Sequence, residues 1–356
     1  MYKNLIARDL RHIWHPCTYM QDFQNNPPLV VKSAKGSYIE TDQGRIIDGI
    51  ASWWCKSLGH GHPEIIQAIK NQLDKFEHVI TANTTNEIIV ELATELSKIT
   101  GKQHVFFASD GACAVEISLK LAVHANKLKG YKNRNKFVSL QNSYHGDTFG
   151  AMSVSDLGTF KNTYQDFQLN TVQITGLPYR SGPDDPNWQN CDAEWENIFA
   201  QLNPIRDEIA AIIFEPIVQG AAGMQCYSPA LLSKLSNYAK QNDIYIIADE
   251  IMTGIGRTGE WLAERHANIQ ADFTCLSKGL TSGSMPLSLA MINEDIYNLF
   301  YQDYNPISAF LHSHTYSGNP VAASAALATL KVMQREDILA QTNSLGEYMR
   351  LSFQEV

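Results

Sequence analysis

The sequence predicts an α/β fold in which helices cover both faces of a mostly parallel sheet. Strand-like and helix-like segments alternate from residue 104 to residue 292, as in chains whose strands are joined by crossover helices. Residues 244–247 are apolar and rich in β-branched side chains, which a strand buried on both faces requires. The helical pattern of residues 229–241 directly precedes this strand and supplies a crossover connection.

Length and composition exclude several classes of protein. The 356 residues, 44% of them hydrophobic and 18% charged, suffice for one large and one small domain. A formal net charge of −9, from 28 basic and 37 acidic residues, argues against nucleic-acid binding, as does the lack of a Lys/Arg-rich tract. The sequence contains no signal-peptide core and no run of about 18 apolar residues. We therefore expect a cytoplasmic protein without a membrane partner.

Cysteines and histidines give no sign of a disulfide framework or a metal site. The six cysteines show no C-x-x-C pair and no regular spacing, so we expect reduced and mostly buried thiols. Two short histidine pairs, His60 with His62 and His312 with His314, lack a Cys or acidic ligand at a fixed spacing. We expect no bound metal.

The N-terminal region is predicted to form part of a small lobe. Residues 29–32 and 36–40 match a hairpin that continues through a turn at 42–45 into residues 46–48. Further on, Trp53 and Trp54 are adjacent. Because side chains of an extended chain alternate between faces, one of the two is free to line a pocket.

Two helices are predicted before the sheet begins. After Pro63, one apolar stripe comprises Ile65, Ile66, Ile69, Leu73 and Phe76. Residues 84–87 match a capping box that begins a second helix, and Gly101 is its predicted end.

The first strand of the sheet is predicted at residues 104–108. A turn of small residues at 109–113 separates it from a helix at 114–128. Free N–H groups at the N-terminus of such a helix form a cup for a phosphate. Taken alone this is a weak signal, since every strand–helix unit has such a turn and most of them bind nothing.

Two further strands end in polar residues at the expected ligand edge. Residues 136–140 lead to Tyr144, which can lie flat on a ring or, alternatively, cap the core of the sheet. After a loop at 176–192 and a helix at 193–202, the strand at 209–214 ends at Glu215.

A carboxylate and a lysine are expected to meet at the same edge. Asp249 ends the strand that begins at residue 244, and a second strand-like run at 272–276 delivers Lys278. A simple salt bridge is the alternative, but Gly279 leaves room beside the lysine for a flat ligand. The arrangement suits pyridoxal 5′-phosphate, with the lysine bound covalently to it and the aspartate on its pyridine nitrogen.

Residues 254–259 also match the dinucleotide pattern G-x-G-x-x-G. Four residues separate the pattern from the end of the strand at Asp249, and no apolar-striped helix follows it. Residues 254–259 therefore lack the strand–turn–helix context of a dinucleotide-binding loop. The remaining chain is predicted to hold a strand at 286–292, a helix at 295–301 and a long helix at 321–334.

The motifs ADEIMTGIGRTG (248–259) and LSKGL (276–280) resemble those of the class III pyridoxal-phosphate aminotransferases. The resemblance implies fold type I, with a mostly parallel seven-stranded sheet and a small α+β domain built from both termini. It divides the chain into the N-terminal part of the small domain (1–60), a large cofactor-binding domain (61–315) and the start of a C-terminal small domain (316–356). The last is expected to be incomplete.

Further stretches narrow the resemblance within that family: WHPCTYM, SWWCKSLGHGHPEI, YHGDTFGAMSV and EPIVQGAAGM. They resemble the branch that transfers the amino group of S-adenosylmethionine to 8-amino-7-oxononanoate in biotin biosynthesis, giving 7,8-diaminononanoate. Two alternatives stay open. One is a lysine or another ω-amine as donor, and the other is a truncated form that binds cofactor without turnover.

The resemblance also implies roles for individual residues. The catalytic residues are Lys278, Asp249 and Tyr144. Cofactor contacts are assigned to Asp110, Gly111, Ala112, Tyr144, His145, Glu215, Asp249, Lys278 and Thr315. Substrate contacts are assigned to Trp53, Trp54, Tyr144, Asp147, Lys278 and Gly318. Thr315 is expected to reach the phosphate from the neighbouring subunit, which implies a homodimer with shared active sites; Arg257 receives no role.

Three features depart from the family pattern. The chain has Ser109-Asp110 where the family more often has Asp-Ser, and a carboxylate beside a phosphate is unfavourable unless Asp110 turns away to cap the helix. Cys17 stands where relatives often carry a tyrosine that contacts substrate. The arginine that relatives use to bind substrate carboxylates has no counterpart before Val356.

Overall fold

The computed structural model describes residues 2–302 and 305–354, without the side chains of residues 159, 160 and 354. The strands in chain order are β1 (Val31–Lys35), β2 (Tyr38–Thr41), β3 (Gly44–Ile47), β4 (His104–Ala108), β5 (Lys136–Leu140), β6 (Thr171–Ile174), β7 (Tyr179–Arg180), β8 (Ile209–Phe214), β9 (Val218–Gln219), β10 (Gln225–Tyr227), β11 (Tyr245–Asp249), β12 (Phe273–Leu276) and β13 (Ser288–Ile292). The helices are α1 (Tyr2–His12), α2 (Ala51–Trp54), α3 (Pro63–Leu73), α4 (Glu87–Thr100), α5 (Gly111–Leu128), α6 (Phe149–Ser153), α7 (Gly158–Lys161), α8 (Asp192–Leu202), α9 (Pro229–Gln241), α10 (Glu294–Phe300), α11 (Pro320–Arg335) and α12 (Ile338–Gln354).

Seven strands form the central sheet, in the order β4-β13-β12-β11-β8-β5-β6. Strands β12, β11, β8, β5 and β6 run parallel to one another, whereas β13 is antiparallel to both of its neighbours, β12 and β4. The predicted α/β fold with a mostly parallel seven-stranded sheet is therefore confirmed. The carboxyl ends of the parallel strands meet at one edge, which is where such sheets bind ligands.

Helices cover both faces of this sheet, and alternation along the strands explains why. Within β8, Ile212 belongs to a core cluster with side chains of α8 and α9. Its neighbour Ile213 belongs to a second cluster, on the opposite face, with side chains of α5. Because successive strand residues point to opposite faces, an all-apolar strand buries both of them. A third apolar cluster joins α4 and α11 to the sheet.

The second predicted helix begins differently from the prediction. The capping box at residues 84–87 is wrong, because the N-cap of α4 is Asn86, whose side chain accepts from the amide of Ile89 at 3.1 Å. The hydroxyl of Thr84 instead donates to the carbonyl of Ile80. The helix ends as predicted at Gly101, in the left-handed conformation that glycine adopts without a side-chain clash.

The N-terminal hairpin is confirmed, with strand bounds shifted by a few residues. Strands β1, β2 and β3 form an antiparallel three-stranded sheet. A second small sheet, β7-β10-β9, was not predicted, and neither were β6, α1 and α12. The domain boundaries at residues 60 and 315 stay a prediction.

None of the described helices combines the length and the apolar character that crossing a membrane requires. The six cysteines form no disulfide in the part of the chain that the structure describes. Cys191 and Cys275 are buried, Cys17 is exposed and the other three are in between, so the expectation of mostly buried thiols is wrong.

Candidate active site

The cavity lined by most of the predicted site residues lies at the carboxyl edge of the sheet. Asp249 is the last residue of β11 and pairs with Cys275 of the adjacent parallel strand β12, so Lys278 follows at the same edge. Both side chains line a cavity of about 460 Å³. The predicted cofactor residues that line it are Asp110, Gly111, Ala112, Tyr144, His145, Glu215, Asp249 and Lys278, and the predicted substrate residues are Trp54, Asp147, Tyr144 and Lys278.

Three predicted residues lie outside this cavity as the described chain forms it. Trp53 is 52% exposed and is absent from the cavity wall. Gly318 is buried, and a side chain there would meet Thr81 at 2.6 Å. Thr315 is exposed. It is expected to contact the site of the neighbouring subunit, and because the structure contains one chain, this role stays a prediction.

Asp249 is held by two hydrogen bonds at the base of the cavity. The side chain of His145 lies with Nδ1 2.7 Å from Asp249 Oδ2, and the amide of Ile251 donates to Oδ1 at 3.1 Å. Asp249 is 4% exposed and His145 is 2% exposed. The other ring nitrogen of His145, Nε2, is buried and has no hydrogen-bond partner among the described residues. These contacts fix the direction of the Asp249 carboxylate.

Glu215 attaches the Tyr144 loop to the same edge. Its two carboxylate oxygens accept from the amides of Tyr144 and Gly220, each at 3.0 Å. Burial raises the pKa of Glu215 to about 7; the Asp249 carboxylate adds to this rise, and His145 opposes it. A loop held this way presents Tyr144 and His145 to the cavity together.

Lys278 has the environment that a nucleophilic amine needs. Burial lowers the pKa of its side chain, and the nearby carboxylates of Asp249 and Glu215 only partly oppose this effect. Its Nζ lies 5.3 Å from the centre of the Trp54 ring. The backbone of Lys278 has a φ of +43°, a conformation in which a non-glycine residue is strained.

The tryptophan pair does not lie in extended chain, so that part of the prediction is wrong. Residues 51–54 all have positive φ, between +46° and +72°, and form a left-handed helical turn, α2. The left-handed conformation costs roughly 1–2 kcal/mol per non-glycine residue. The turn nevertheless separates the two rings, because Trp54 lines the cavity and Trp53 does not.

A helix N-terminus forms one end of the cavity. Asp110 is the N-cap of α5, and its side chain accepts from the amide of Cys113 at 3.1 Å. The carboxylate is thus engaged in capping, as its position next to a phosphate would require. The amides of Gly111 and Ala112 make no hydrogen bond to any described residue. They are the free donors at the positive end of an 18-residue helix.

Tyr144 and Asp147 stand together on the cavity wall. Burial raises the pKa of the Tyr144 hydroxyl, and the Asp147 carboxylate, which is hydrogen-bonded to it, raises it further. The hydroxyl therefore stays protonated over the physiological range.

Sequence reasoning missed several wall residues, among them Gly220, Met252 and Ser277. Gly220 had a detectable signal, since it lies in the motif that follows β8. A Cβ at this position would lie 2.7 Å from Met252 Cε, so the glycine permits the close approach of the two segments.

The histidine pairs were expected to lack acidic metal ligands, and the structure differs from this expectation at one of them. His62 does have acidic neighbours, since its ligand atom and those of Glu64 and Glu336 lie within 4.8 Å of one another. Arg335 already forms ion pairs with both carboxylates, at 2.6 Å and 2.7 Å.

The geometry fits a flat, phosphorylated, nitrogen-containing ring. Unbonded helix amides suit a phosphate, a buried carboxylate suits a protonated ring nitrogen, and a buried amine of lowered pKa suits covalent attachment. The family model of the class III aminotransferases matches residues 19–356. The chain belongs to this family. Its members depend on pyridoxal phosphate, so the predicted family, enzyme class and cofactor are confirmed.

Curated relatives are similar in sequence to this protein over nearly the whole chain. The adenosylmethionine-8-amino-7-oxononanoate aminotransferase of Helicobacter pylori is 40% identical over 353 residues, which are 98% of this chain and 78% of the relative. The protein of that name from Aquifex aeolicus is 35% identical, covering 99% of this chain and 79% of its own length.

Solved structures show the same fold. The adenosylmethionine-8-amino-7-oxononanoate aminotransferase of Methanocaldococcus jannaschii superposes with a TM-score of 0.88 at 32% identity, covering 96% of this chain and 77% of that one. A Pseudomonas amine transaminase with pyridoxal phosphate bound gives 0.83 at 31% identity, covering 92% and 75%.

Proposed function

We propose that this aminotransferase converts 8-amino-7-oxononanoate into 7,8-diaminononanoate for biotin biosynthesis, with S-adenosylmethionine as the amino donor. The observation that carries the proposal is the position of Trp54, which places a large aromatic wall 5.3 Å from the amine of Lys278. The relatives that carry this enzyme's name are 34% to 40% identical over nearly the full chain, which supports the same reading.

The residues of the cavity would contact the phosphate, the ring and the reactive carbon of pyridoxal phosphate. The amides of Gly111 and Ala112 would hold the phosphate, Asp249 the ring nitrogen, and Lys278 the reactive carbon. Tyr144 would lie against the ring. When bound, the cofactor stabilises the electron pair left on the substrate carbon after a proton is removed.

Lys278 is the group that moves protons in this proposal. With cofactor and substrate bound, its Nζ would take the proton from the substrate Cα and would later return a proton during the second half of the reaction. Taking the proton needs a neutral amine, which the burial of Lys278 favours, and the ammonium group that results is the form that returns it. Asp249, whose carboxylate lies 2.7 Å from Nδ1 of His145, would stay beside the ring nitrogen during these transfers.

Trp54, Tyr144 and Asp147 would select the substrates. Trp54 offers apolar surface for the carbon chain of 8-amino-7-oxononanoate, and Asp147 offers a carboxylate for the substrate's ammonium group. Both line the same cavity as Lys278, and Asp147 also bonds the Tyr144 hydroxyl.

The test measures 7,8-diaminononanoate by mass spectrometry after incubation with 8-amino-7-oxononanoate and either S-adenosylmethionine or lysine. Product from S-adenosylmethionine, lost in K278A, is the expected result. Product from lysine alone would transfer the assignment to an ω-amine donor, which is of interest because a structural neighbour at 28% identity is described as an omega-transaminase. No product with either donor would contradict the proposal.

We further propose a homodimer in which Thr315 of one subunit completes the site of the other. Thr315 is exposed on this chain and outside its own cavity, as the proposal requires. The test mixes K278A and T315A, each of which is expected to be inactive alone, after reversible dissociation. Recovery of activity is expected, because a mixed dimer contains one site with both native residues. A mixture that stays inactive would show that Thr315 acts within its own subunit.

A further inference from the structure

Glu250 is a buried carboxylate that the proposed chemistry does not use. It follows Asp249 directly and is 0% exposed. Its oxygens accept three hydrogen bonds: Oε1 from the amide of Glu264 at 2.8 Å, and Oε2 from the hydroxyl of Thr253 at 2.7 Å and the amide of Ala263 at 3.0 Å. A carboxylate that costs this much desolvation and is so fully bonded holds its donors in a fixed arrangement.

These donors lie at the two ends of one segment, residues 251–264. Between the ends the segment folds back on itself, with the amide of Ile255 bonded to the carbonyl of Trp261 at 2.8 Å. Gly254 permits the fold, since a Cβ there would lie 2.8 Å from the carbonyl oxygen of Glu250. Glu250 therefore directly precedes this loop, and its side chain joins the two ends of the loop by hydrogen bonds.

The tip of this loop contacts the substrate side of the cavity. Arg257, near the tip, donates from Nη2 to the carbonyl of Trp54 at 3.0 Å. That carbonyl belongs to α2, whose four residues all have positive φ. A turn with this conformation persists only where its surroundings hold it, and the Arg257 contact is one such restraint.

We propose that Glu250 is a positioning residue for Trp54. By closing the loop 251–264 it fixes Arg257, and Arg257 in turn holds the left-handed turn that directs Trp54 toward Lys278. Glu250 contacts neither the reacting atoms nor the substrate. The inference rests on the proposed function only in naming Trp54 as a substrate wall.

The alternative is that Glu250 serves the stability of the fold alone. The two cases differ in where a substitution acts. Loss of general stability would loosen the sheet and the loop alike, whereas loss of positioning would loosen the loop and α2 and leave the sheet intact. Hydrogen exchange of the holoenzyme, followed by mass spectrometry, separates these cases without any substrate.

The experiment compares E250Q with R257M and with D272N as a matched control. Gln keeps the shape of Glu250 but cannot accept all three hydrogen bonds. D272N also removes a carboxylate that accepts a hydrogen bond from a backbone amide, in this case that of Ile246 at 2.7 Å. Asp272, however, directly precedes β12 and so lies at the edge of the sheet opposite to the cavity. Arg257 is exposed, so R257M tests the second link even if E250Q fails to fold.

We expect E250Q to speed exchange in peptides covering residues 251–263 and 51–57, with β8 unchanged. R257M should speed exchange in 51–57 without affecting the base of the loop, and D272N should change neither region. In turnover, E250Q and R257M should both raise the KM for 8-amino-7-oxononanoate and lower kcat. The fold-increase in KM should be about ten times the fold-decrease in kcat.

The proposal is overturned if residues 51–57 exchange at the native rate in both E250Q and R257M, or if E250Q loosens β8 as much as the loop. Because these readings need no turnover, they stand apart from the identity of the substrates. Inactivity with every donor, combined with the expected exchange pattern, would contradict the proposed function and leave the positioning role intact.

Discussion

His145 Nδ1 lies 2.7 Å from the carboxylate of Asp249, and both side chains are buried. The carboxylate is held from one side by this imidazole and from the other by the amide of Ile251 at 3.1 Å. A carboxylate fixed in this way is ready to meet a ring nitrogen without reorganising, which is the condition for strong electrostatic stabilisation in a buried site.

Replacing His145 should therefore weaken cofactor binding. We expect H145L to raise the Kd for pyridoxal phosphate about tenfold or more, since hydrogen bonds to charged groups contribute about 1.5–3 kcal/mol. H145N, which keeps an N–H donor near the carboxylate, should lose less. Titration of the apoenzyme, followed by absorbance, measures both constants. Equal affinities for H145L and the native chain would show that Asp249 needs no orientation by His145.

Because Asp110 caps α5, two substitutions at this position should differ in their effect on stability. D110N keeps a side-chain acceptor for the amide of Cys113 and removes a negative charge next to the phosphate cup. We expect it to retain stability and to bind pyridoxal phosphate more tightly. D110A should lower the free energy of unfolding by about 1 kcal/mol, as the loss of an N-cap does.

Chemical denaturation and cofactor titration of the same two variants provide the comparison. If D110A were as stable as D110N, the carboxylate would have no capping role. Weaker phosphate binding by D110N than by the native chain would mean that Asp110 contributes to the cup in another way.

Asp272 should make stability depend on pH. Burial raises its pKa from 3.8 to about 6, although its bond from Ile246 and the charge of Lys102 oppose the rise. A pKa raised on folding contributes stability that is complete below pH 3.8 and is lost as the pH rises through about 6. A rise in pKa from 3.8 to about 6 corresponds to roughly 3 kcal/mol of folding free energy.

D272N removes this titration. Relative to the native chain, we expect it to be less stable at about pH 4.5 and to close that gap by about pH 7.5. Urea unfolding at the two pH values measures the difference. A constant difference would indicate that the carboxyl group has the same pKa in the folded and unfolded chains.

The two tryptophans should differ in function because the turn α2 separates them. W54A removes the wall next to Lys278, and we expect kcat/KM for 8-amino-7-oxononanoate to fall by about a hundredfold, in line with the loss of a large buried aromatic contact. W53A should have a much smaller effect, since Trp53 is 52% exposed. Steady-state kinetics of the two variants checks this, and a larger effect of W53A would place the substrate on the other face of α2.

The residues at the sheet edge could be predicted from the sequence because buried strands have a strong pattern. The apolar runs that became β8 and β11 are unbroken. Glu215 directly follows β8, and β11 ends in Asp249, which Glu250 follows. Their parallel order then fixes which ends meet. Lys278 followed from the same logic, one strand further along.

The left-handed turn α2 could not be predicted in the same way. Positive φ has a sequence signal at glycine and asparagine, but residues 51–54 contain neither. The conformation depends on contacts from distant segments, such as that of Arg257. Strands β7, β9 and β10 were missed for a related reason, since two or three residues cannot show a period.

The visible absorbance of the purified holoenzyme tests the central claim most directly. The band of the covalently bound cofactor should disappear when S-adenosylmethionine alone is added and return when 8-amino-7-oxononanoate follows, while lysine leaves it unchanged. K278A, which cannot form the covalent bond, should lack the native band from the start. A band that lysine removes and S-adenosylmethionine does not, or a band that neither compound alters, would contradict the account.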